Sequence, residues 1–322
     1  MRPRVVVAGG ARHRPPGIER AEALADLVFA DDPAEVAELL PGADVVLAWR
    51  PRAELLRPGF ARAARLRWIQ AASAGVDGLL FPELVESDVV VTNAHGVFDG
   101  PMAEYALALL LAFAVDLPRT LELQRERRWE PRETERLAGR TLLVAGQGSI
   151  GRAVARLARA VGMRVLAVAS RPRAGDGVVE EVGGPGDLPR LLGEADFVVN
   201  VLPLTERTRG LFGREAFAAM RPGARFVNLG RGGTVDEDAL VEALREGRIA
   251  GAALDVFAEE PLPSDSPLWS APNAIVSPHI SGSARGWQEA VVELFLENLR
   301  RFAAGEPLTG VVDKRLGYVP SG

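Results

Sequence analysis

Thr141-Leu142-Leu143-Val144-Ala145-Gly146-Gln147-Gly148-Ser149-Ile150-Gly151 is the stretch whose reading decides the fold. Residues 142–145 are a short apolar run, as expected of a strand buried on both faces, and the run stops at Gly146. From Arg152 onward, Ala153, Ala155, Leu157, Ala158 and Val161 recur at helical spacing. Strand, G-x-G-x-x-G and helix thus follow in the order a dinucleotide site requires. Gly146 permits the tight turn, Gly148 lets backbone approach a pyrophosphate, and Gly151 lets helix and strand pack closely. Ser149 and Ile150 begin the helix, whose first N–H groups and dipole favour an anion. A bare glycine-rich turn lacks these flanks.

About 20 residues further on, an NAD site carries Asp or Glu at the end of the second strand. Here that strand, residues 164–168, is followed by Ala169-Ser170-Arg171. A hydroxyl and a guanidinium bind a ribose 2′-phosphate, which an acid repels. The expected cofactor is therefore NADP(H) in preference to NAD(H), with Ser170, Arg171 and also Arg173 around the phosphate.

Working outward, segments 4–9, 44–48, 66–70 and 89–92 read as strands, and 18–29 and 34–40 as helices. After residue 139 a second series of strands begins: 141–145, 164–168, 195–200, 225–229, 251–255 and 274–277. Strand–helix alternation of this kind predicts two doubly wound α/β domains with parallel sheets covered on both faces. Gly42-Ala43-Asp44-Val45-Val46 and Glu194-Ala195-Asp196-Phe197-Val198 echo each other, consistent with similar architectures. Residues 102–115 are apolar nearly all round apart from Glu104, which predicts a helix buried between domains or subunits. A highly charged arm, 119–136, follows. The glycine-rich stretch 175–186 reads as a surface loop, and the last helix, 286–304, as packing back on the first domain.

Bulk properties narrow the function. The 322 residues allow two domains with proper cores, and 48% hydrophobic with 25% charged residues is ordinary for a globular protein. A net charge of -5 leaves no electrostatic footprint for nucleic acid or an anionic membrane. No apolar run reaches a membrane span, and the apolar run after Met1-Arg2-Pro3-Arg4 is too short for a signal peptide. The absence of cysteine excludes thiol nucleophiles, disulfides and Cys-based metal sites, and it suits the cytoplasm. No metal site is expected. The basic charge is almost all arginine, Lys314 being the one lysine.

Three groups can carry chemistry, each just past a predicted strand: Arg231, Glu260 and His279. In open parallel sheets that end of the strand is where ligands sit. A guanidinium, a carboxylate and an imidazole suit reduction of a 2-oxo acid. Arginine holds the carboxylate and polarises the ketone, imidazolium protonates the developing alkoxide, and the carboxylate favours the charged imidazole. Trp49 and Arg50 end one strand of the first domain, with the loop Ser73-Ala74-Gly75-Val76-Asp77 after another. His95 stands in the interdomain segment, and His13 has no assigned role.

Gly146–Gly151, the run 228–237, the run 255–261 and the run 277–282 together resemble the D-isomer-specific 2-hydroxyacid dehydrogenase family, and the similarity extends over nearly the whole chain. The resemblance implies a substrate domain from residues 1–98 and 285–322 and an inserted NADP-binding domain, 99–284, with the active site in the cleft between them. It implies that Arg231, Glu260 and His279 are catalytic and that Asp255 lies near the nicotinamide. It also implies that Leu202, Pro203, Thr208, Leu229 and Gly230 line the cofactor and that Ala74 and Gly75 receive the substrate carboxylate. Family members commonly dimerise, which assigns the 102–115 helix and the charged arm to a homodimer interface. Ala169 and Trp49 resemble the glyoxylate/hydroxypyruvate reductase branch, and the expected form is not that of the larger phosphoglycerate dehydrogenases with a regulatory domain. The expected activity is NADPH-dependent reduction of small 2-oxo acids. The rivals are a formate- or phosphite-oxidising relative and a non-catalytic NAD(P)-sensing protein.

Overall fold

In the computed structural model, which describes residues 2–320, the chain divides into two compact units. One combines the stretch up to Phe98 with the stretch from Arg285, and the other is Asp99–Ala284.

The first unit has five strands: β1 (Arg4–Ala8), β2 (Asp26–Ala30), β3 (Val45–Ala48), β4 (Trp68–Ala71) and β5 (Val90–Thr92). They lie in the order β2-β1-β3-β4-β5, all parallel. β1, β3 and β4 read VVVA, VVLA and WIQA over their buried residues because helices cover both faces. Helices α1 (Pro33–Leu39), α2 (Ala53–Phe60) and the short α3 (Pro82–Val85) come from the same stretch. Val36 and Leu56 pack on one side of the sheet.

The second unit starts with α4 (Asp99–Ala114) and α5 (Leu117–Glu126). Its sheet contains β6 (Thr141–Ala145), β7 (Arg164–Val168), β8 (Arg173–Ala174), β9 (Glu181–Gly183), β10 (Phe197–Asn200), β11 (Arg225–Asn228), β12 (Gly251–Leu254) and β13 (Ala274–Val276). The strand order is β13-β12-β11-β10-β6-β7-β9-β8, parallel except for the β8–β9 pair. The sheet is flanked by α6 (Ser149–Ala160), α7 (Leu188–Leu192), α8 (Arg214–Ala219) and α9 (Glu237–Arg245). α10 (Trp287–Ala304) belongs to the first unit, where Val292, Phe295, Leu296 and Leu299 cover Val5, Val7, Val45, Leu47 and Trp68. Asn298 adds a buried bond from its amide to Gln70 Oε1 at 3.2 Å, so the polar centre of this helix is satisfied by the sheet.

Two readings of the sequence are corrected. Residues 18–29 are not one helix: a 3₁₀ turn, Ile18–Ala23, gives way to β2. Leu27, Val28 and Phe29 suit an edge strand as well as a helical face, and pairing with β1 decides for the strand. The 175–186 stretch is not only loop, since β9 pairs in parallel with β7. Gly183 stands in that strand because a Cβ there would lie 2.7 Å from Leu191 Cδ1 and 2.9 Å from Asp187 Cβ.

The charged arm contains a helix, α5, and its return segment is pinned to the sheet. Arg225, on β11, donates to Glu135 at 2.8 Å, and this bond together with the Arg140 charge holds the Glu135 carboxyl below its ordinary range. α4 buries Met102, Ala106, Leu110 and Phe113, while Leu111, Val115, Leu117 and Leu121 remain exposed and Trp129 is 95% exposed. No helix of the described residues is long and apolar enough to cross a membrane.

Candidate active site

The strand order of the second unit reverses at β6, with β10 on one side and β7 on the other. That reversal is where a doubly wound sheet receives its ligand. Gly146 ends β6 with φ 109°, a left-handed conformation that favours glycine. A Cβ on Gly151 would stand 1.8 Å from the Gly146 carbonyl oxygen, so α6 can approach the strand only because this residue is glycine. A Cβ on Gly148 meets nothing within 4 Å: the open side of the loop lies there. Gly148 caps α6 without a side-chain hydrogen bond, leaving the first-turn N–H groups around Ser149 and Ile150 for an anion. The Gln147 amide is buried in the same loop with neither its oxygen nor its nitrogen hydrogen-bonded among the described residues. These features fit a dinucleotide pyrophosphate. Beside them, at the end of β7, Ser170 and Arg171 are exposed, with Ala169 tied back through its N–H to Gly183 at 3.0 Å.

Opposite the glycine loop, a buried polar network braces the turns after β10 and β11. The Asn200 amide donates to Asn228 Oδ1 at 2.9 Å and to Thr234 Oγ1 at 2.7 Å, and all three side chains are fully buried. The Thr234 hydroxyl donates to the Arg231 carbonyl at 2.6 Å. Leu202 N–H donates to Asn200 Oδ1 and Gly230 N–H to Asn228 Oδ1. Leu229 N–H donates to the Asn200 carbonyl at 3.0 Å. The Thr208 hydroxyl donates to the Pro203 carbonyl at 2.7 Å, so this side chain closes its own turn. A Cβ on Gly230 would lie 2.6 Å from the Leu202 carbonyl oxygen, so the two turns touch. One scaffold therefore sets both the Leu202-Pro203 turn and the Arg231 backbone, while Arg231 Nη1 donates to the Gly230 carbonyl at 2.8 Å.

Arg231, Glu260 and His279 follow β11, β12 and β13, which are neighbours in the sheet. The turn carrying Arg231 lies against the turn carrying Glu260, since a Cβ on Gly232 would fall 1.8 Å from the Phe257 carbonyl carbon. Glu260 Oε1 accepts from Phe257 N–H at 3.0 Å, and its other oxygen meets His279 Nδ1 at 2.7 Å. That turn is held from behind by Ala258 N–H donating to Glu237 Oε1 at 2.7 Å. With Nδ1–H engaged by the carboxylate, the imidazole presents Nε2, and its side chain is 51% exposed. The pair can deliver a proton from Nε2.

In the first unit, Ala72 to Asp77 follow β4. The Asn93 amide donates to the Ala74 carbonyl, and the Ser73 hydroxyl donates to the Gly75 carbonyl at 2.5 Å. Both carbonyls are thereby held. Trp49 stacks on Trp287 with ring centroids 6.0 Å apart, and Trp287 meets Phe98 at 5.9 Å. Half-buried against the sheet, Trp49 has a core-packing role whatever else it does. His95 and His13 are exposed. Among the described residues no group of three His, Cys, Asp or Glu side chains could hold a metal ion.

Asn200, Asn228, Thr234, Asn93 and Glu237 were not anticipated from sequence. The available signal was a polar residue terminating an apolar strand, as in Val198-Val199-Asn200 and Phe226-Val227-Asn228.

Residues 107–281 match the model of the D-isomer specific 2-hydroxyacid dehydrogenase NAD binding domain. The chain belongs to this family. Its members are NAD(P)-dependent oxidoreductases, and the fold is that of solved D-2-hydroxyacid dehydrogenases. Glyoxylate/hydroxypyruvate reductase A of Serratia proteamaculans is 33% identical over 295 residues, 88% of this chain and 92% of that protein. D-3-phosphoglycerate dehydrogenase of Methanocaldococcus jannaschii is 35% identical over 283 residues, 87% of this chain, which spans only 53% of that relative. The crystal structure of a Sinorhizobium meliloti NADPH-dependent glyoxylate/hydroxypyruvate reductase, in complex with NADP and sulfate, superposes with a TM-score of 0.85. It is 30% identical, and the match covers 98% of this chain and 100% of that one.

Proposed function

We infer that this 2-hydroxyacid dehydrogenase reduces small 2-oxo acids such as glyoxylate or hydroxypyruvate with NADPH, giving the D-2-hydroxy acid where the product is chiral. The observation that carries the reading is the Glu260–His279 contact at 2.7 Å, made beside the strand whose end bears Arg231. When bound, the nicotinamide supplies the hydride. Arg231 binds the substrate carboxylate and draws electron density from the ketone. His279 gives its Nε2 proton to the oxygen as charge develops, and Glu260 stabilises the imidazolium before transfer. Ala74 and Gly75 offer backbone N–H groups to the carboxylate, with Trp49 restricting side-chain size. Gly146–Gly151 together with Leu202, Pro203, Thr208, Leu229, Gly230 and Asp255 form the cofactor surroundings. The relatives' names and the NADP in the Sinorhizobium meliloti structure support the same reading.

Initial rates with glyoxylate, hydroxypyruvate, pyruvate and a bulkier 2-oxo acid, each with NADPH and NADH, test it. We expect higher kcat/KM with NADPH and small acids. Because charge-assisted bonds to the 2′-phosphate are at stake, Arg171→Ala should cut the NADPH preference by about ten- to a hundredfold. Equal efficiency with both cofactors overturns the assignment of Ser170 and Arg171. Absence of turnover with every pair overturns the reductase reading, and assays with 3-phosphoglycerate, formate and phosphite then distinguish the oxidising alternatives.

We further infer a cytoplasmic homodimer formed through α4 and the arm, where Leu111, Val115, Leu121 and Trp129 present apolar surface. Light scattering should give twice the chain mass, and Leu121→Arg should reduce it to one. A wild-type monomer at micromolar concentration refutes this interface.

A further inference from the structure

Asp255 is fully buried at the end of β12, yet it is a carboxylate with no cationic side chain bonded to it among the described residues. Its hydrogen bonds go to a single loop. Oδ1 accepts from the Ser277 hydroxyl at 2.7 Å and from Ile280 N–H at 2.9 Å, and Oδ2 accepts from Ser281 N–H at 2.8 Å. A carboxylate offers about four acceptor positions, so three of them are filled from one side. These donors bracket His279: one stands two residues before it and two stand immediately after. His279 itself has φ 53°, the left-handed region that residues with a side chain rarely adopt. Such a conformation persists where surrounding bonds over-determine it, and here the bonds on both flanks end on Asp255.

We propose that Asp255 is the positioning residue of the proton donor: its buried carboxylate clamps the 277–281 loop so that His279 stays left-handed with Nδ1 on Glu260. The family resemblance places this residue near the nicotinamide; the bonds assign it a second task, directed at the imidazole. The inference rests on the reading of His279 as the acid, and its mechanism is distinct from that of Glu260. Glu260 touches the imidazole, whereas Asp255 fixes the backbone that carries it. An amide in place of the carboxylate retains size but turns one acceptor into a donor, which would face the Ile280 or Ser281 N–H.

The test is Asp255→Asn in the full-length enzyme, read by kinetics and by imidazole nitrogen NMR. With only three histidines in the chain, His279 is assigned by difference from a His279→Gln sample. We expect kcat, measured at saturating NADPH, to fall about ten- to a hundredfold, a loss additional to any weakening of NADPH binding. We also expect the His279 nitrogen signals to move towards those of Glu260→Gln, reporting loss of the Nδ1–carboxylate bond. Ser277→Ala, which removes one donor and keeps the carboxylate, should shift both readouts in the same direction by a smaller amount; it serves if the first variant does not fold. Unchanged His279 signals in both variants overturn the proposal, as does a loss confined to NADPH affinity. The NMR reading is independent of turnover, so it stands even where the reductase assignment fails in the substrate panel.

Discussion

Replacing His279 by alanine should lower kcat for 2-oxo acid reduction by about 10²–10⁴-fold, the range that a positioned general acid contributes. The NADPH dissociation constant should stay within a few-fold of wild type. The contrast follows from geometry. His279 stands past the end of β13, whereas the glycine loop and its helix follow β6, four strands away in the sheet order. The imidazole reaches Glu260 through Nδ1, and nothing in the glycine loop depends on it. Single-turnover reduction with enzyme saturated by NADPH measures the chemical step directly. Wild-type turnover in the variant would end the assignment of His279 as the acid. Arg231→Ala should differ in kind, raising the substrate KM as well as lowering kcat, since the guanidinium acts in both ground and transition states.

The second large effect is expected at Gly151. A methyl group there would overlap the Gly146 carbonyl oxygen at 1.8 Å, and neither atom belongs to a flexible side chain. α6 must move away from β6, taking with it the first-turn N–H groups offered to the pyrophosphate. Gly151→Ala should weaken NADPH binding at least a hundredfold, about 2.7 kcal/mol, and lower Tm. Gly148→Ala provides the comparison. Its Cβ meets no protein atom within 4 Å, so Tm should hold while NADPH affinity falls, the methyl standing on the side left open for the ligand. Fluorescence titration and thermal denaturation on both variants separate the two causes. Undiminished affinity in Gly151→Ala would remove this loop from the cofactor site.

How much of this could be read from the chain depends on how local each signal is. The β6–α6 junction was legible because eleven consecutive residues contain strand, turn and helix start. The turns after β11, β12 and β13 were legible for the same reason, since charged or titratable groups follow an apolar run in each. The contact between Glu260 and His279 spans 19 residues and needed the neighbouring of β12 and β13, which the alternation of elements only suggested. The Asn200–Asn228–Thr234 network was out of reach: its bonds span 28 and 34 residues, and an asparagine after an apolar strand has no partner until the strands are ordered. β2 was misread because five residues at a sheet edge have too few positions to distinguish a period of 2 from one of 3.6. Asp255 is legible as part of the 255–261 motif, while its hold on the 277–281 loop belongs to backbone geometry that no side-chain pattern records.

The placement of α10 has a consequence for how the chain is made. The face of β1, β3 and β4 that Phe295 and Leu299 cover is synthesised first, and the helix that covers it comes last. Between them the ribosome must add the whole of Asp99–Ala284. At ordinary elongation speed that is roughly 10–40 s during which Val5, Val7, Leu47 and Trp68 have no lid. The inserted unit is continuous in sequence and can close its own core in that interval. The discontinuous unit is the one whose nascent form presents apolar sheet to chaperones or to aggregation.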